Sequence, residues 1–231
     1  DRFMGLVLEY VSSREYSIIQ GLEKLGVKAV SAPAANYDNA EVSAVFISGE
    51  FAVCSDENAA IVREVCARFG KLETPVVFDP DLSNSGADKY PLINEIAALS
   101  EIFLPSDEDA KELCGLDDPE KTAEHYLSLG VPKIIITLDK KGAYYRSAKE
   151  SGYTPTFRAD KVVDTHGAGK AFAAGLISGV IEEIPLSEAV IRANACGCIS
   201  IQKHGEYFPD SAELREYMLD HRFVVDGCKE Y

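Results

Sequence analysis

Three consecutive isoleucines, Ile134-Ile135-Ile136, set the tightest limit on how this chain can fold. Neighbouring side chains on a strand point to opposite faces, so an unbroken β-branched run must be covered on both sides. A mostly parallel sheet with helices on both faces meets that demand. Other short apolar runs alternate with longer stretches of helical period, as in successive βαβ units. The pattern predicts strands at Val42 to Ile47, Val76 to Asp79, Ile102 to Leu104 and Lys133 to Leu138. Helices are expected at Glu57 to Phe69, Asp107 to Leu113, Pro119 to Leu129, Ala168 to Glu182, Leu186 to Gln202 and Ser211 to His221. Gly142 to Arg146 and Tyr153 to Arg158 read as antiparallel strands joined by a polar turn.

With 231 residues, 46% of them hydrophobic, the chain can bury one sizeable core, and residues 1–231 are expected to form a single α/β domain. A formal net charge of −15 argues against a nucleic-acid partner, which would need clustered Lys and Arg. The longest apolar stretch, Ala171 to Ile181, falls well short of the roughly 20 residues a membrane span requires. No signal peptide is visible, although the chain starts at Asp1, so cytoplasm is the expected compartment. The cysteines at 54, 66, 114, 196, 198 and 228 have neither CxxC nor zinc spacing, and read as reduced, mostly buried thiols. The histidines at 125, 166, 204 and 221 show no ligand spacing, which argues against a metal-dependent hydrolase.

The chemistry concentrates in Asp164-Thr165-His166-Gly167-Ala168-Gly169-Lys170, a glycine-rich turn that runs into a small-residue helix. Gly167 and Gly169 carry no side chain to block close approach, so backbone N–H groups there can face an anion while the helix dipole adds positive charge. A phosphoryl group suits such a cradle. The turn is not a P-loop: Asp164 stands where its first Gly would be, and Ala171 where its Mg²⁺-binding hydroxyl would be.

The same residues resemble the closing DTxGAGD signature of the ribokinase (pfkB) family of sugar and nucleoside kinases, with Lys170 in place of the last Asp. The resemblance implies a ribokinase-like three-layer sandwich, with ATP, Mg²⁺ and a monovalent cation, K⁺ among the candidates, as its ligands. It casts Gly167, Ala168 and Gly169 as the anion hole and Lys170 as the occupant of the general-base position. Asp164 and His166, with Ile201 and Gly205, fall in the cation loop. Further matches carry substitutions: Phe78-Asp79-Pro80-Asp81 resembles FDPN, and Ser106 and Asp109 lie where the family has NxxE. Thr137, Asp139 and Gly142 resemble the nucleotide-binding TxGxxG turn, and Asn194 the adenine-side helix. Ser106 and Asp109 also have the spacing of a helix capping box, which needs no ligand. Asp139 to Gly142 would serve equally as a bare β-turn.

The resemblance weakens at the start of the chain. Asp1 to Tyr10 looks like the family's DDxFG segment and following helix, without the first strand and the sugar-binding segment that precede it there. Pro33 to Asn36 lead almost directly to the strand at Val42, leaving little room for a lid. Residues 1–41 are therefore expected to be a remnant of the N-terminal and lid region, and 42–221 the nucleotide-binding core. Members of the family it resembles often dimerise through the lid, and with little lid expected here the oligomeric state is left open.

A lysine of ordinary pKa, near 10.4, is protonated at neutral pH and cannot accept a proton. Lowering it by roughly three units would cost about 4 kcal/mol. The expected function is a pfkB-type sugar kinase whose phosphoryl transfer is impaired or lost. The alternative is a catalytically inactive nucleotide-binding pseudokinase or scaffold. The expected partners are a nucleotide and a small sugar.

Overall fold

A computed structural model describes residues 5–12, 17–32, 41–82 and 85–220. Eight strands form one sheet: β1 (Leu6–Tyr10), β2 (Lys28–Ser31), β3 (Val42–Ser48), β4 (Val76–Asp79), β5 (Ile102–Phe103), β6 (Lys133–Thr137), β7 (Ala143–Ser147) and β8 (Ser151–Thr154). Their order is β2-β1-β3-β4-β5-β6-β7-β8. The first six run parallel, and β7 and β8 close the sheet antiparallel.

Side-chain alternation divides the core in two. Val7, Ala44, Phe46 and Ile135 point into one layer, against α1 (Ile19–Lys24), α7 (Ala168–Ile181), α8 (Leu186–Ser200) and α9 (Ser211–Asp220). Leu6, Leu8, Val45, Ile47, Ile134 and Ile136 point into the other. That layer is covered by α2 (Gly49–Val53), α3 (Asp56–Lys71), α4 (Tyr90–Leu99), α5 (Asp107–Cys114) and α6 (Pro119–Ser128). The isoleucine triplet is thus split between both layers, giving the three-layer α/β architecture that the run demands.

Within the first layer α7 and α8 approach almost backbone to backbone. A Cβ at Gly175 would lie 2.8 Å from Cys196 Sγ and 3.0 Å from Ala193 Cα, and one at Gly179 would lie 3.0 Å from Ala189 Cα. Cys66, Cys196 and Cys198 are buried thiols, Cys54 is exposed, and Cys228 lies outside the described residues. Burial pushes the Cys66 and Cys196 thiols up to about 12, away from any reactive thiolate. No helix among the described residues is long and apolar enough to cross a membrane.

The start of the chain differs from the sequence expectation. Leu6–Tyr10, read as leading into a helix, is a strand buried along its whole length, paired with β2 on one side and β3 on the other. Its apolar residues fill both layers, which an amphipathic helix could not do. The sheet thus begins before Val42, with β1 beside β3 and β2 at the edge beyond it. Asp1 to Met4, Pro33 to Asn36 and His221 lie outside the described residues. Every strand among the described residues belongs to the one sheet, so none of them forms a separate lid.

Candidate active site

Strand order turns at β1, with β2 to one side and β3 to the other, and in open α/β sheets the ligand crevice lies beyond the carboxyl ends of strands near such a point. A cleft of about 490 Å³ opens there. Its floor begins where Ser48 and Asp79, paired in register, end β3 and β4. Ser106 and Thr137, joined by an isolated parallel bridge, extend it past β5 and β6. The facing wall is the entrance of α7, with His166, Gly167, Gly169, Lys170 and Phe172.

Gly167 enters the helix at φ +83°, a left-handed conformation that favours glycine, and no side chain caps α7. A Cβ at Gly169 would meet nothing within 4 Å. No protein atom outside the helix itself therefore demands glycine at 169, a residue that lines the cleft. Ala168 does not line the cleft, and its N–H donates to the Thr165 carbonyl at 3.3 Å. Of the three residues expected to cradle an anion, Gly167 and Gly169 border the cleft.

Lys170 is in ion-pair contact with Glu206, whose carboxylate also lies 3.7 Å from His166 Nε2. Glu206 was not anticipated. It stands 36 residues beyond Lys170, where no spacing rule reaches, and is brought back by the loop after α8. A second acid that escaped the sequence reading is Glu9, fully buried near the end of β1. Its carboxylate accepts from Ile18 N–H at 2.6 Å and from the Ser17 hydroxyl at 2.9 Å. Burial pushes its pKa up, and those hydrogen bonds and the nearby Lys170 charge pull the other way. The one signal for it was a charge inside the apolar run Leu6–Tyr10.

Opposite α7, three carboxylates, Asp79, Asp81 and Asp109, line the cleft. Ser106 and Asp109 form a capping box: the serine hydroxyl accepts from Asp109 N–H at 3.0 Å, and the aspartate accepts from Ser106 N–H at 3.2 Å. The other Asp109 oxygen accepts from Leu82 N–H at 3.3 Å, tying the end of the Phe78 to Asp81 segment to α5. The pair is thus both a cap and part of the cleft. Asp79 accepts from Asp81 N–H at 3.2 Å, and its pKa is pushed up to about 8, first by desolvation and then by the Asp81 and Asp109 charges. Asp81 holds a positive φ of 34°, a strained conformation for a residue with a side chain.

Other expected site residues do different work. Asn194 is buried outside the cleft, and its amide donates to the Thr154 carbonyl at 3.1 Å, bracing α8 against the end of β8. Gly142, at φ +96°, is required by the backbone, since a Cβ there would lie 2.1 Å from the Thr154 oxygen. Asp139 is exposed in the same turn at φ +50° and does not line the cleft. The Ile201 carbonyl accepts from both Val163 N–H at 2.7 Å and Asp164 N–H at 3.2 Å, which engages both lone pairs. Asp164 accepts from His166 N–H at 2.9 Å and Gly205 N–H at 3.0 Å, and these bonds hold its carboxyl below the usual range. These bonds brace the loop, with two donors on the Ile201 carbonyl and one on each Asp164 oxygen.

A profile of the pfkB family carbohydrate kinases matches residues 6–213. The chain is 34% identical over 162 residues to the 2-dehydro-3-deoxygluconokinase of Bacillus subtilis, an alignment covering 68% of this chain and 50% of that protein. It spans about half the length of the curated relatives it matches. The crystal structure of Thermotoga maritima ribokinase is 26% identical, with a TM-score of 0.64 over 78% of this chain and 58% of that one. A Vibrio cholerae fructokinase double mutant, bound to fructose, ADP and potassium, shares the fold at 14% identity, with a TM-score of 0.75 over 94% of this chain and 99% of that one. With a cleft placed where such sheets bind ligands and a family profile that spans nearly all of its described residues, the chain belongs to the pfkB family of carbohydrate kinases.

Proposed function

We propose that this chain binds a nucleoside triphosphate in the cleft, with its terminal phosphate at the entrance of α7, and that phosphoryl transfer from it to a sugar hydroxyl is slow or absent. The observation that carries the reading is the uncapped start of α7, where Gly167 and Gly169 border the cleft and a side chain at 169 would fill only open space. The helix dipole and the N–H groups of a helix's first turn favour an anion there.

In the transfer the acceptor oxygen bonds to the γ-phosphorus as the bond to the bridging oxygen of ADP breaks, and the hydroxyl proton must leave. Lys170, ion-paired with Glu206, is a proton donor rather than an acceptor. The position that should take the proton therefore cannot. What remains is positioning and charge stabilisation, which supply much of the acceleration in this chemistry but not all of it.

The carboxylates opposite α7 suit a divalent cation, which prefers hard oxygen donors. Burial raises the pKa of Asp79 most, and the Asp81 and Asp109 charges raise it further, so a cation near the three would be favoured. Among the described residues no group of three acids or other ligands is placed to hold a metal ion, so a divalent cation here would need nucleotide phosphates to complete its shell. Bound there, Mg²⁺ would neutralise charge on the phosphate oxygens.

The test is a thermal-shift titration with ATP and Mg²⁺. ATP at 100 times its Kd is expected to stabilise the chain by about 2.7 kcal/mol. Gly169→Ala should leave the unliganded melting temperature unchanged or slightly higher, since a Cβ there is unobstructed and alanine favours helix, yet should lose most of the ATP response. An undiminished response in Gly169→Ala would mean that phosphate does not approach this helix. A coupled kinase assay with a panel of sugars is expected to show little turnover, and Lys170→Asp to raise it. Brisk turnover by the unaltered chain would refute the impaired-transfer reading. Nucleotide binding with no turnover in either form would favour an inactive nucleotide-binding scaffold.

A further inference from the structure

Glu206 lies against the turn at which the proposed function puts an anion. A Cβ added at Gly167 would lie 2.6 Å from Glu206 Cγ, so the acid's side chain rests directly on the turn that opens α7. From there its carboxylate reaches Lys170 and stands 3.7 Å from His166 Nε2, the two cation-capable side chains of the cleft wall. The Lys170 side chain is only 18% exposed and that of Glu206 31%, so solvent screens the contact incompletely. The loop bearing Glu206 is anchored on both sides. Gly205 N–H is held by Asp164 at 3.0 Å, and the buried Phe208 has its carbonyl held by Lys24 Nζ at 2.9 Å.

We propose that Glu206 is an internal stand-in for the phosphate: a latch that occupies Lys170 at the α7 entrance and must let go of it before a polyphosphate can bind at full strength. The proposal rests on the nucleotide reading of the cleft and specifies how that site is restrained. A carboxylate fixed at the cationic start of a helix lowers the local potential for any second anion, and a bound phosphate within a few ångströms would feel its repulsion. Lys170 then has two roles that alternate: partner of Glu206 when the cleft is empty, partner of a phosphate oxygen when it is filled. Latch release exchanges one ion pair for another without a covalent step.

Glu206→Gln removes the charge and keeps the shape. Titration calorimetry with inorganic pyrophosphate, which needs only the anion site, is expected to show binding about tenfold tighter in Glu206→Gln than in the unaltered chain. The gain should vanish in the double variant Lys170→Met/Glu206→Gln, because the freed ammonium supplies it. Adenosine, which carries no phosphate, should bind all three forms equally. Glu206→Asp, which keeps the charge but is one methylene shorter, should give an intermediate gain and serves if Glu206→Gln folds poorly. Pyrophosphate binding that is unchanged or weaker in the folded variants overturns the latch. If pyrophosphate binding tightens while ADP binds none of the forms, the latch stands and the nucleotide reading fails.

Discussion

Gly49→Ala is expected to cost about 4 kcal/mol or more of stability in urea unfolding, enough to leave much of the chain unfolded at 37 °C. A Cβ at position 49 would lie 1.8 Å from the carbonyl oxygen of Pro80 and 2.5 Å from its carbon, and both are backbone atoms that no rotamer change can move. Relief by backbone shift is blocked as well. β3 and β4 are neighbouring interior strands locked in register through Ser48 and Asp79, the residues just before Gly49 and Pro80. Gly70→Ala is the control. Position 70 lies near the end of α3 with nothing within 4 Å of an added Cβ, so alanine there should be neutral or stabilising by up to about 1 kcal/mol. Equal unfolding midpoints for the two variants would refute the close approach of these strand ends. Because the same strand ends carry Ser48 and Asp79 into the cleft, any Gly49→Ala protein that does fold should also lose ligand response.

The second large effect is a dependence of stability on pH. Asp79 has a folded-state pKa of about 8 against 3.8 in a model carboxyl, so the folded chain holds a proton there that the unfolded chain has released. The sign follows from linkage: between those values the unfolded state binds fewer protons, and stability falls as pH rises. The contribution is fully present below the unfolded value and lost as pH climbs through the folded one. The carboxyl group is enclosed while the residue as a whole keeps some exposure, so the full four-unit difference overstates the loss. About 2–3 kcal/mol across the window is the expected size after allowing for solvent that enters the cleft. Asp79→Asn should match the unaltered chain near pH 4 and exceed it increasingly up to pH 8–9, as read by melting temperature. Parallel pH profiles for the two proteins would show that the three carboxylates do not burden one another. Magnesium added at pH 8 should recover part of the loss in the unaltered chain alone, by supplying the charge that the cluster lacks.

How far the sequence revealed this molecule depends on how local each signal was. The isoleucine triplet gave away the covered sheet because strand alternation is a two-residue rule, and the structure sends its members to both core layers. The glycine turn before α7 was equally plain, since a positive φ and an uncapped helix start are properties of a few adjacent residues. β1 is harder to read, because a single charge, Glu9, interrupts its apolar run and only the assembled sheet covers both of its faces. The α4 helix, with Pro91 in its first turn and Ile93, Ile96 and Ala97 on one buried face, is legible by spacing alone. Glu206 and the carbonyls braced by Asn194 belong to another category: their partners lie 36 and 40 residues away, and only the assembled fold brings them together. Lys170 at the end of the glycine turn could be read directly, but its charge partner Glu206 could not.

The seam between α7 and α8 has a historical consequence. Where two helices touch through glycine and alanine, one extra methyl group anywhere along the contact pushes them apart, so selection for a folded protein alone preserves the line on which α7 lies. The position of the helix mouth is therefore fixed by packing behind it, independently of whatever chemistry takes place in the cleft.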